Sequence, residues 1–290
     1  MRILLSNDDG IRAPGIQSLY SALVDEDGTH GGPLGSELLT AAPLTVQSAT
    51  SHGVTFHTPL MVEHARMGTG EAMGGEGLAV DGRPADCIKL AVSTLWNERF
   101  GDGDRPDLVI SGINSGANIG INVIYSGTVA AALEAAFLGV PSIAVSLHIG
   151  KGKPDWARAA RMARRAIEIV LEGGVGGASW LGPHHCLNIN LPLCETGPGA
   201  AGDTPEHPEL AVCPMNTHGL IDSYERRESP AGDAYYWSTG AGLRFASEDL
   251  GTDVDMLFRR RITVTPLKYD LTDRDFLATW AERVGGRLAE

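Results

Sequence analysis

Short apolar runs alternate with stretches of helical periodicity through the first 150 residues, and few architectures accept that alternation. Ile3-Leu4-Leu5, Glu37–Ala42, Leu108–Ile110 and Ser142–Leu147 read as strands. Between them, Pro14–Glu26 places Ile16, Leu19, Leu23 and Val24 on one helical face, and Asp86–Trp96 and the Ala-rich Thr128–Leu138 read as further helices. The alternation predicts an α/β fold, a parallel sheet with helices on both faces. Val54–Val62 reads as an extended hairpin segment and Met67–Gly77 as a Gly-rich turn.

Beyond residue 150 the pattern loosens. Pro154–Glu172 reads as a long helix whose Arg158, Arg161, Arg164 and Arg165 form a solvated face. Leu187–Leu191 alternates as a strand, Leu193–Pro208 is a Gly/Pro-rich surface loop, Tyr235–Ser238 and Ile262–Leu267 read as strands, and Asp273–Val284 closes as a helix. This half is expected to add β-hairpins and an extension to one domain spanning 1–290, with its core in 1–150 and a C-terminal part in 151–290.

The first strand stops abruptly at Asn7-Asp8-Asp9-Gly10. Ligands of open α/β sheets gather beyond the carboxyl ends of the strands. Adjacent carboxylates there repel each other unless a cation lies between them, and Mg2+ or Mn2+ accepts such oxygen ligands. Asp-Asp-Gly reads equally as a turn with one Asp capping the next helix. Alone, the motif leaves both readings open. Two more segments end polar where strands stop: Ala42-Pro43 followed by Ser48, Thr50, Ser51 and His52, and Ser111–Gly120. Parallel neighbours would bring all three loops to one rim, with two carboxylates, a hydroxyl and an amide oxygen. Tyr125-Ser126-Gly127-Thr128 then opens a helix whose first N–H groups favour an anion, a role compatible with an ordinary N-cap.

Composition excludes several classes. The formal net charge of −13 argues against nucleic-acid polymers, which need clustered Lys and Arg. No apolar run is long enough to cross a bilayer, so no membrane partner is expected. The chain begins on a strand without a basic-then-apolar leader, which predicts a cytoplasmic protein. Cys87, Cys186, Cys194 and Cys213 fit neither a zinc pattern nor a disulfide framework and read as reduced thiols.

Ile3–Gly10 with Ala13-Pro14-Gly15, Ala42-Pro43 with Ser48, Asp86-Cys87, Ser111–Gly120 and Tyr125–Ala131 together resemble the SurE family of metal-dependent nucleotidases. Weaker matches continue at Asn188–Pro192 and Val264–Leu267, so the similarity spans nearly the whole chain. The resemblance implies a Rossmann-like core and C-terminal extensions that build homodimers or homotetramers. It implies hydrolysis of nucleoside 5′- and 3′-monophosphates, with polyphosphate cleavage in some members. One divalent cation per subunit would be held by residues matching Asp8, Asp9, Ser48 and Asn114. Asn118 matches a position near the phosphate, and Ser126, Gly127 and Thr128 match the phosphate-side loop. Asp8, Asp9 and Asn118 are therefore the candidate catalytic residues.

One segment departs from the family pattern. Leu44-Thr45-Val46-Gln47 stands where a basic stretch is usual, with the spacing to Ser48 retained. That departure motivates a competing reading, a nucleotide-binding module without catalysis. A dinucleotide fingerprint is excluded, because Gly10 is followed by Ile11-Arg12-Ala13-Pro14-Gly15. His52 is the one histidine considered as general acid for the leaving oxygen, against an ordinary loop role. His184-His185 read as surface or structural.

Overall fold

The computed structural model describes residues 1–70, 74–173, 181–201, 204–219, 221, 223–239 and 245–286. Its strands are β1 (Arg2–Ser6), β2 (Glu37–Pro43), β3 (Val62–Met67), β4 (Gly75–Val80), β5 (Leu108–Ser115), β6 (Ser142–Leu147), β7 (Lys153–Pro154), β8 (His185–Leu191), β9 (Glu195–Thr196), β10 (Leu210–Val212), β11 (Tyr224–Glu228), β12 (Ala234–Ser238) and β13 (Ile262–Lys268). The helices are α1 (Pro14–Val24), α2 (Pro84–Leu90), α3 (Trp96–Phe100), α4 (Gly127–Phe137), α5 (Trp156–Gly173), α6 (Asp253–Phe258) and α7 (Arg274–Arg283).

Nine strands form one sheet in the order β10-β13-β8-β6-β5-β1-β2-β4-β3. The run from β8 through β4 is parallel throughout. β13 and β3 join its two sides antiparallel to β8 and β4. From β1 the chain builds outward through β2 and β4, then returns to β5 on the other side of β1 and builds through β6 and β8. The strand order therefore reverses between β1 and β5. A crevice opens at such a switch point, beyond the carboxyl ends of the strands.

Side-chain alternation sorts the core into two layers. Ile3 and Leu5 pack with Ile16, Leu19 and Leu23 of α1 and Ala159, Ala163 and Ile167 of α5. Leu4, between them, faces the opposite layer with Ile88, Val92, Trp96, Ala131 and Ala135. The expected parallel sheet with helices on both faces is the observed one. Ile3, Leu4 and Leu5 are apolar without interruption because both faces of the central strand are covered.

Several local expectations are corrected. The extended segment expected at 54–62 is irregular up to Val62; the hairpin pairs Val62–Met67 with Gly75–Val80, and residues 71–73 of its turn lie outside the described residues. The helix expected at 86–96 runs from Pro84 to Phe100 with a π-helical turn at Ala91–Leu95. The strand expected to stop at Ile110 continues to Ser115, with a bulge between Ser111 and Asn114. α6 had no signal strong enough to be read. Arg164 is not on a solvated face. It is 4% exposed, donates to the carbonyls of Ala22 (2.9 Å) and Gly32 (3.0 Å), and pairs with Glu168 at 2.7 Å. Helical periodicity cannot show that a polar position on the apolar side has carbonyl partners waiting on a neighbouring element. All four cysteines are free and buried, and among the described residues no helix is long and apolar enough to cross a membrane.

Candidate active site

β1 ends against β5 at Ser6, paired in register to Ser111, and β5 runs on to Ser115. Past that level the chain after β1 turns polar at Asn7, Asp8 and Asp9, and β5 brings Asn114 and Ser115 in beyond its bulge. Asp8 is buried, and its Oδ1 accepts a hydrogen bond from the Thr128 hydroxyl at 2.6 Å. Thr128 sits in the first turn of α4, so the helix delivers a donor to the end of β1. Gly127 makes that approach possible: a Cβ there would lie 2.9 Å from both Asp8 Cβ and Pro84 Cγ. Ser126 caps the helix, its Oγ accepting from Val129 N at 3.1 Å.

Asp9 is fixed from the other side. Its Oδ2 accepts from the backbone N–H of Ser115 at 2.7 Å. Asn114, the preceding residue, donates its Nδ2 to the Gly116 carbonyl at 2.6 Å, which fixes the carboxamide. The β5 bulge immediately before Asn114 is a common device for re-aiming side chains beside a site. The third loop is tied to Asp8 by its backbone: Gln47 N–H donates to the Asp8 carbonyl at 2.7 Å, so Ser48 follows directly on a residue bonded to Asp8.

Asn118 lies further along, across the ends of β6 and β8. Its Nδ2 donates to Ser146 Oγ at 2.8 Å, its backbone N–H to Asn190 Oδ1 at 2.8 Å, and its carbonyl accepts from Asn188 and Asn190. One amide hydrogen of Asn118 is thus spent on Ser146. Asn188 and Asn190 were not among the expected site residues. Two asparagines on the strand Leu187–Leu191, both fully buried, were the available signal. Asp253 of α6 was missed as well. It accepts from Gly120 N and Asn216 N, each at 2.8 Å, and so fixes the start of the 3-10 turn Gly120–Tyr125 that leads into α4.

His52 has partners of its own. Nε2 lies 2.7 Å from Glu134 Oε2, the other Glu134 oxygen accepts from Lys89 at 2.8 Å, and the imidazole stacks on Phe137 with centroids 5.6 Å apart. This geometry gives His52 a job tying the 48–53 loop to α4, and no proton transfer is assigned to it. Burial pushes the Glu134 carboxyl up, but the hydrogen bonds from His52 and Lys89 outweigh it and hold the group below its ordinary range.

The electrostatics favour a cation. Burial pushes the Asp8 carboxyl up to about 6, against the opposing bond from Thr128, and the neighbouring Asp9 charge adds to the rise. Burial also raises Asp9, with the Ser115 N–H working the other way. Ser6 Oγ, Asn7 Oδ1 and Ser111 Oγ are buried at the same strand ends without a hydrogen-bond partner among the described residues. Carboxylate, hydroxyl and carboxamide oxygens are the donors that hard divalent ions take. Asp8, Asp9, Ser48 and Asn114 are residues that could hold such an ion, and the first turn of α4 could receive an anion opposite it.

The Survival protein SurE family model matches residues 3–216. This chain belongs to the SurE family. The 5′-nucleotidase SurE of Solidesulfovibrio magneticus is 39% identical over 299 residues, covering 99% of each chain. That of Carboxydothermus hydrogenoformans is 38% identical over 294 residues, covering 100% of this chain and 99% of the relative. Among solved structures, the SurE protein from Aquifex aeolicus superposes with a TM-score of 0.72 at 28% identity, covering 98% of this chain and 100% of that one. The SurE relationship therefore extends over the C-terminal strands and helices as well as the strand ends that carry Asp8, Asp9 and Asn114.

Proposed function

We propose that this SurE family member is a metal-dependent phosphomonoesterase that hydrolyses nucleoside 5′-monophosphates, and 3′-monophosphates as well, to nucleoside and phosphate. The carrying observation is the Asp8–Asp9 pair at the β1/β5 switch point, held by Thr128 from α4 and Ser115 from β5. The name 5′-nucleotidase borne by relatives aligned over nearly the whole chain supports the same reading. Asp8, Asp9, Ser48 and Asn114 would hold one Mg2+ or Mn2+ per subunit. When bound, that ion would supply Lewis acidity to the site.

The chain's own residues do the rest. Thr128 and the Ser115 N–H orient the two carboxylates and restrain them in the ionised form. The Gly127 and Thr128 backbone N–H groups, at the start of an eleven-residue helix, receive the substrate anion. Asn118, clamped by Asn188, Asn190 and Ser146, offers its remaining amide hydrogen to a phosphoryl oxygen. We assign the protein to the cytoplasm, where its four free cysteines stay reduced. We further assign it a homodimeric or homotetrameric state. The exposed hairpin β11–β12 carries Tyr224, Tyr235, Tyr236 and Trp237, and α7 exposes Phe276, Leu277 and Trp280, large apolar side chains that a second subunit would cover.

The test is phosphate release from nucleoside 5′- and 3′-monophosphates with Mg2+ or Mn2+, against EDTA and an Asp9→Ala variant. Metal-dependent release that EDTA and the variant abolish is the expected result. Retained metal binding without release from any nucleotide would favour a binding module instead.

A further inference from the structure

We propose that the open cavity beside Asp9 seats the base of the nucleoside monophosphate, with Trp156 as its aromatic wall and Leu44 and Val46 as its apolar sides. The cavity measures about 430 Å³ and is lined by Asp9, Arg12, Leu44, Val46, Ser115 and Trp156, among others. It is continuous with the site, since the Asp9 and Ser115 that bond each other also line it. Its size and mainly apolar lining suit a small organic ligand with one polar end. The inference rests on the nucleotidase reading and extends it to the part of the substrate that does not react.

Each wall is fixed by something the fold had to do anyway. Trp156 opens α5, and its ring edge lies against the bare backbone of Gly15 at the start of α1; a Cβ on Gly15 would come within 3.1 Å of Trp156 Cζ3. The opposite wall is a short loop tethered at both ends, by Leu44 N–H to the Val80 carbonyl and by Gln47 N–H to the Asp8 carbonyl, each at 2.7 Å. Between those tethers Val46 is left 63% exposed, an apolar side chain facing water rather than the core. Arg12 at the mouth has no ion-pair or hydrogen-bond partner among the described residues. In a chain of net charge −13, a free guanidinium there draws an anion toward Asp9 and can also stack on a base. An aromatic wall, two aliphatic sides and an unpaired cation, next to a site for phosphate, match a planar base attached to a phosphorylated sugar.

The experiment measures adenosine binding by calorimetry and the ratio of kcat/KM for AMP to kcat/KM for glycerol 2-phosphate. It compares the unmodified protein with Trp156→Leu and Val46→Asn. Loss of a stacking platform is expected to weaken adenosine binding and lower the AMP ratio by roughly tenfold in Trp156→Leu. The exposed Val46 change is expected to weaken both by about threefold. Val46→Asn decides the matter if Trp156→Leu does not fold by circular dichroism. Adenosine binding that is absent from the unmodified protein, or unchanged in both variants, overturns the seat. Adenosine binding that depends on Trp156, with no phosphate released from any nucleotide, keeps the seat and overturns the nucleotidase reading.

Discussion

Thr128→Val is the substitution that most directly probes how the site is held. Thr128 is fully buried and Asp8 is 4% exposed, so water cannot replace the lost hydroxyl. The bond removed is short, at 2.6 Å, and its acceptor is a carboxylate. Hydrogen bonds to charged groups contribute about 1.5–3 kcal/mol, and a buried acceptor left without its donor forfeits that amount in full. Asp8 also loses the one side-chain group that opposes its rise toward neutrality. Outer-shell partners of this kind change metal affinity or activity by about 10–100-fold when removed. The expected outcome is a rise of at least tenfold in the Mn2+ concentration for half-maximal phosphate release. The urea midpoint in EDTA should fall by an amount equivalent to about 2 kcal/mol, and Thr128→Ser should recover most of both. Metal titration of activity and urea unfolding with and without metal are the assays. A Thr128→Val protein within twofold of the unmodified one in metal response, with an unchanged urea midpoint, would refute the argument that α4 orients Asp8.

Gly127→Ala places a methyl 2.9 Å from Asp8 Cβ, so phosphate release should drop by at least about tenfold with circular dichroism unchanged; full activity would mean that Asp8 need not stay where it lies. Glu134→Gln removes a carboxylate held below its ordinary range, so its contribution is present above the unfolded pKa and lost as pH falls through the folded one. The variant should therefore be less stable than the unmodified protein at pH 7, with the difference shrinking as pH falls below the ordinary carboxylate range, by urea unfolding; a difference that stays constant as the pH is lowered would contradict the assignment. Arg164→Met leaves the Ala22 and Gly32 carbonyls without their donor. It should lower stability by about 2–4 kcal/mol, and a loss under 0.5 kcal/mol by urea unfolding, the usual range for an exposed residue, would restore the solvated-face reading.

The legible part of this chain is the part governed by local pattern. Ile3-Leu4-Leu5 had to be a strand covered on both faces, and its abrupt end at Asn7-Asp8-Asp9 marked where chemistry could gather. The Gly-rich run at 111–120 was legible as a loop near that rim, although the strand in fact continues through a bulge to Ser115. Less legible was anything decided by a partner distant in sequence. Arg164 looked solvated because its acceptors lie more than 130 residues away. His52 is spoken for by a carboxylate 82 residues on.

Short-range periodicity shows which apolar residues turn inward and roughly where each element lies, since that depends only on burying apolar faces along one element; the ends of β5 and of the helical run Pro84–Phe100 were set by their neighbours. Tertiary structure decided which strand ends are neighbours. The reversal of strand order between β1 and β5 set Asp8 and Asp9 beside Ser115, and α4 then carried Thr128 to Asp8 across 120 residues of chain. It also made a cavity from Arg12, Val46 and Trp156, residues of three separate segments. A one-dimensional pattern records the preference of each residue for water or core; only the packed sheet turns those preferences into distances between charges.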